Sequence, residues 1–90
     1  MYDIYFQNCS KQQIEFIKAY FIVNNRVFQE DQNGICFYTN QIDDLFNLIQ
    51  NLNTFFDQHT YAQHHVSAPV FVIEIGEDGR YILNNRDDWR

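Results

Sequence analysis

The chain of 90 residues has three glycines and a single proline. So little of either excludes a disordered or turn-dominated scaffold. Its two cysteines, Cys9 and Cys36, form no Cys-x-x-Cys pair, so neither a disulfide framework nor a redox motif is expected. They read as the reduced thiols of a cytoplasmic protein. Long apolar runs are missing too: "AYFIV" and "APVFVI" are the longest, far short of the roughly 20 residues that span a bilayer. The first residues, "MYDIYFQN", carry no basic stretch of the kind that opens a signal peptide. No membrane partner is expected.

Catalytic and cofactor signatures are equally scarce. There is no P-loop, no Gly-x-Gly-x-x-Gly, no Gly-x-Ser-x-Gly and no His-Glu-x-x-His. The carboxylate pairs Asp43-Asp44, Glu77-Asp78 and Asp87-Asp88 are sequence neighbours, whose side chains do not face one another. Cys9 sits before a helix start, but it reads as a packing residue. The expectation is a protein without enzymatic activity and without a cofactor.

Hydrophobic material is plentiful: 46 % of residues are apolar, with nine Phe, six Tyr and one Trp. One compact domain over residues 1–90 follows, with a core rich in aromatic rings. "DIYFQN" alternates Ile4 and Phe6 with Tyr5 and Gln7, which predicts a strand. Ser10 and Gln13 have capping-box spacing, and Cys9 with Ile14 can staple the helix entry. That helix puts Ile14, Ile17 and Phe21 on one stripe, widened by Phe16 and Tyr20, and stops at Asn24-Asn25.

"RVFQEDQNGICFYT" predicts two strands around Asn33-Gly34. Asn40 is placed to cap a second helix, with Asp43 and Asp44 in its first turn. Ile42, Leu45, Ile49, Leu52 and Phe56 line its apolar face, broadened by Phe46, Leu48 and Phe55, and the helix should end near Asp57 or His59. "VFVIEIGEDGRYIL" reads as a hairpin turning at Gly76 and Asp78-Gly79. Its first strand, apolar on both faces except Glu74, is expected to be central or covered on both sides. The expected fold is therefore α+β: a ferredoxin-like β-α-β-β-α-β-β sandwich, its antiparallel sheet carrying two helices on one face and an extra edge strand.

Residues 55–69, "FFDQHTYAQHHVSAP", hold all three histidines. On a continuous helix His59 and His64 would lie about 140° apart, and His65 points away from His64. Neighbouring imidazoles there suit a mild pH response, and no metal site is assigned.

Two resemblances follow from other residues. "IYFQN" (Ile4–Asn8) with "GICFYT" (Gly34–Thr39) resembles the paired motifs of RNA-recognition-motif domains, which implies base stacking by Tyr5 and Phe37. Ile35 stands where that family has its third aromatic. The order of elements is also similar to virulence-associated protein D and to small CRISPR-associated proteins, families linked to endoribonuclease activity. Where their pattern ends the first strand on an Asp, this chain has Gln7.

The missing charge is the most informative absence. From Val27 to Gly79 there is no Lys or Arg, while Glu30, Asp31, Asp43, Asp44, Asp57, Glu74, Glu77 and Asp78 are all present. Net charge is −6. Such a surface repels nucleic acid and steers a basic partner. The expected function is a small acidic binding protein of immunity, antitoxin or anti-defence type, which inhibits a basic nucleic-acid-handling protein by occlusion. Asp43, Asp44, Glu74, Glu77 and Asp78 are the candidate contacts, with Trp89 or exposed tyrosines as anchors. The alternative is an RNA-acting protein using Tyr5 and Phe37. A homodimer through an apolar outer sheet face is a further expectation.

Overall fold

The computed structural model describes residues 2–32, 34–60 and 68–86. Seven elements follow in order: β1 (Tyr2–Gln7), α1 (Lys11–Val23), β2 (Gln29–Asp31), β3 (Gly34–Thr39), α2 (Asp44–Thr60), β4 (Phe71–Ile75) and β5 (Tyr81–Asn85). The fold is α+β, with one five-stranded mixed sheet and two helices.

The capping box forms as its spacing requires. Ser10 Oγ accepts the Gln13 N–H at 3.1 Å, and Gln13 Oε1 accepts the Ser10 N–H at 2.8 Å. At the other end Asn25 takes φ 55°, a left-handed value that Asn tolerates, and Asn24 Nδ2 donates to the Tyr20 carbonyl. α2 begins at Asp44, later than a cap at Asn40 would place it. The lead-in is a turn instead: Thr39 Oγ1 accepts the Gln41 N–H, Asp44 N–H donates to Gln41, and Leu45 N–H donates to Ile42.

Registers Ile4↔Phe37, Ile4↔Tyr81 and Phe6↔Leu83 place one set of apolar side chains on a single sheet face. There they join Ile17, Tyr20 and Phe21 of α1 and Leu45, Leu48, Leu52 and Phe56 of α2 in one core. Phe21 is its hub, with ring centroids of Phe37 at 5.3 Å, Phe28 at 5.6 Å and Phe6 at 6.0 Å. Burying a ring this completely is worth about 3–5 kcal/mol, judged by what its removal costs.

Strand order departs from the expected antiparallel, ferredoxin-like arrangement. It runs β2-β3-β1-β5-β4, with β5 parallel to β1. β5 is not an extra edge strand: it sits between β1 and β4, and the apolar β4 is the edge. The cause lies in Asn84 and Asn85, both buried. Asn85 Nδ2 donates to the Asn8 carbonyl at 3.1 Å and to Gln13 Oε1 at 3.2 Å, while its Oδ1 accepts the Val70 N–H at 2.9 Å. Asn84 Oδ1 accepts from Asn8 at 2.7 Å, and its amide donates to Glu74 at 3.1 Å. Satisfied in this way, two polar side chains can occupy an interior strand.

Candidate functional site

Strand directions bring separate parts of the chain to one end of the molecule. β1 starts where β3 finishes, at Tyr2↔Thr39, and the β4–β5 turn projects on the same side through Ile75↔Tyr81 and Ile4↔Tyr81. α2 starts there as well, just after β3. Asp3, Asp43, Asp44, Glu77 and Asp78 therefore share this end with the exposed rings of Tyr2 and Tyr38.

The turn is built for tightness. Gly76 N–H donates to Arg80 at 2.7 Å and Gly79 N–H to Gly76 at 3.0 Å, with Gly79 at φ 82°. Asp78 accepts the Arg80 N–H and pairs with its guanidinium at 3.0 Å. Arg80 in turn lies 5.1 Å from the Tyr5 ring centroid. A pocket of about 250 Å³ opens between Tyr2, Asp3, Asp78, Gly79, Arg80 and Tyr81. A second, of about 260 Å³, brings Arg26 and Asp44 to one polar hollow with Tyr20 and three asparagines.

The fold pairs charges that are segregated along the chain. Lys18 reaches Glu30 at 3.0 Å, and this hydrogen bond raises the lysine pKa above its ordinary value. Arg80 takes Asp78, and Arg86 takes Glu74 at 3.3 Å. Glu74 is thus engaged on the edge strand β4, by Asn84 and Arg86. Asp43, Asp44 and Glu77 make no ion pair among the described residues. Trp89 lies outside the described residues.

The RNA-stacking pair is split. Tyr5 lies on the open face opposite Cys36, but Phe37 turns into the core, 3 % exposed, against Phe6 and Phe21. The period of two puts neighbouring residues on opposite faces, so matching Tyr5 with Phe37 put them one residue out of register. Tyr38 is the aromatic that shares the open face with Tyr5. Burial raises the pKa of both Tyr5 and Cys36, opposed in each case by Arg80; Asp31 and Asp3 push Cys36 further up.

That open face is not the apolar surface expected for sheet-on-sheet dimerisation. Gln7, Glu74, Asn84 and Arg86 occupy much of it. His59 lies in the last turn of α2, and His64 and His65 fall outside the described residues. Among the described residues no three His, Cys, Asp or Glu side chains gather as metal ligands would. No helix among them is long and apolar enough to cross a membrane.

One surface escaped sequence reasoning. Phe46, expected to broaden the buried face of α2, is 64 % exposed, beside a groove lined by Ile42, Ile49, Phe71 and Ile73. Helical periodicity assigns Phe46 only to the margin of the apolar stripe, and strand order decides whether anything covers it. No family model, curated protein or solved structure matches the chain.

Proposed function

We propose that the protein is a small acidic binding module that occludes a basic, nucleic-acid-handling protein, in the manner of an immunity, antitoxin or anti-defence protein. The observation that supports this reading is the convergence of Asp43, Asp44 and Glu77, none of them ion-paired among the described residues, beside exposed Tyr2 and Tyr38. Carboxylates not neutralised within the fold are those available to Lys or Arg side chains that would otherwise hold phosphate. Tyrosines with one apolar face and one polar tip are suited to anchor such a contact. Glu74 and Asp78 already hold arginines of this chain and act as supports for the turn and sheet instead.

The test is capture from host lysate on the immobilised protein at about 50 mM and about 300 mM salt, a range over which screening shortens electrostatic reach. The expected result is one basic protein held at low salt, weakened at high salt, and lost on Asp43→Lys/Asp44→Lys. Binding to the isolated partner should slow chiefly in its on-rate. Retention indifferent to salt and to both reversals would overturn the electrostatic reading. Recovery of RNA that depends on Tyr5 and Tyr38 would replace it with an RNA-acting role.

A further inference from the structure

Among the described residues, strand β4 ends the sheet with an uncovered edge. It reads Phe71-Val72-Ile73-Glu74-Ile75, with no Lys, Pro or Gly to discourage pairing. On its inner side Val70 accepts the Arg86 N–H, and Gly76 N–H donates to Arg80. Backbone groups alternate in direction along an antiparallel pair. Val72 and Glu74 therefore also point toward β5, and the N–H and C=O groups of Phe71, Ile73 and Ile75 point outward. Among the described residues no strand pairs with them. Alongside runs the groove of about 570 Å³ between β4 and α2, lined by Ile42, Phe46, Ile49, Gln50, Phe71 and Ile73. Phe46 is 64 % and Ile75 is 69 % exposed.

We propose that a second copy of this chain occupies the edge, its β4 pairing antiparallel with the first about a two-fold axis through Ile73. The edge is self-complementary in that register. Ile73 meets its own copy, and Phe71 meets the partner's Ile75 on either side. The outward groups then match in spacing and form about six backbone hydrogen bonds. Ile75, which neither helix covers, lands beside the partner's Phe71 at the mouth of the partner's groove. The interface is isologous and closed, so it stops at a dimer.

In this orientation charge does not oppose a second copy at the edge. Glu74 faces the partner's Val72 instead of a carboxylate, and each Glu74 keeps its own Arg86. Antiparallel pairing also sends the two ends bearing Asp43, Asp44 and Glu77 in opposite directions. Two chains of net charge −6 thus join without bringing their acidic ends together. The dimer presents that end twice, pointing apart, so each copy remains able to engage a partner.

Sedimentation velocity on the whole chain from about 1 µM to about 200 µM tests the proposal, because mass action must shift a reversible dimer across such a range. The expected result is a concentration-dependent rise from the chain mass of 10.9 kDa to twice that value. Ile75→Lys, at a position already open to solvent, should weaken the dimer at least about tenfold while circular dichroism stays unchanged. Ile73→Pro, which removes the central outward N–H, should abolish it. A monomer throughout the range overturns the proposal. So does a dimer indifferent to Ile75→Lys, or an unrelated chain found paired on β4 in place of the second copy.

Discussion

β2 and β4 both close the sheet with a row of outward backbone groups, yet they differ in length, chemistry and support. β2 has three residues, Gln29-Glu30-Asp31, all exposed, with Glu30 held by Lys18 from α1. Shortness and charge are two ways of blocking strand addition. β4 is longer, carries apolar side chains at Phe71, Ile73 and Ile75, and borders a groove that α2 only partly fills. An edge guarded by charge serves a molecule that must stay separate on that side. An edge left apolar suits the contact proposed for it.

The largest effect expected from breaking this arrangement comes at Asn85, which ties β5 between β1 and β4. Asn85→Ala leaves Gln13 and the Val70 N–H short of a partner and should cost about 1–3 kcal/mol, read by urea denaturation. Asn85→Leu separates burial from hydrogen bonding: if burial alone held β5 inside the sheet, Leu would restore stability. The expectation is that it does not.

Next in size is the apolar edge itself. Phe46→Ser should leave the melting temperature nearly unchanged, because the ring is mostly in water, while weakening self-association several-fold, about 1 kcal/mol of contact. Unchanged association would detach the groove from the edge and confine the interface to β4. Smaller still is the converse experiment. Glu30→Val removes the charge that guards β2 and should create concentration-dependent association through that edge, visible by light scattering and persisting in Ile75→Lys.

The smallest expected effect is alkaline. The folded-state pKa of Cys36 is raised above its ordinary 9.0, first by burial beneath the sheet's open face. A raised value means the folded chain holds the proton more tightly than the unfolded chain does. Stability from this group is complete below about pH 9 and declines as pH rises through the folded value. Cys36→Ala should flatten that decline in melts taken between neutral pH and the onset of general alkaline unfolding. A decline unchanged in the variant would assign it to other groups.

Much of the local structure was legible in the residues. Ser10 and Gln13 announced their capping box, Asn25 its left-handed stop, and Ile4 and Phe6 the buried face of β1. Two misreadings had a common source. β4 was expected at the sheet centre or covered on both sides because its side chains are apolar, and β5, which ends in Asn84-Asn85, as the extra edge strand that the order of elements calls for. Composition cannot show that Asn8 and Gln13, more than seventy residues away, complete the hydrogen bonds of those asparagines. Phe37 was misplaced for a related reason: a motif match fixes a residue's type, whereas strand register fixes its face.

Periodicity, capping and turn chemistry are short-range, so the sequence by itself determined seven elements, two amphipathic helices and an excess of acidic charge. Which strand became the edge, which carboxylates kept no arginine, and which end gathered Asp43, Asp44 and Glu77 were decided by tertiary structure alone. Each depends on contacts between residues far apart in the chain, and a side chain's charge or polarity has no fixed consequence until its neighbours are known.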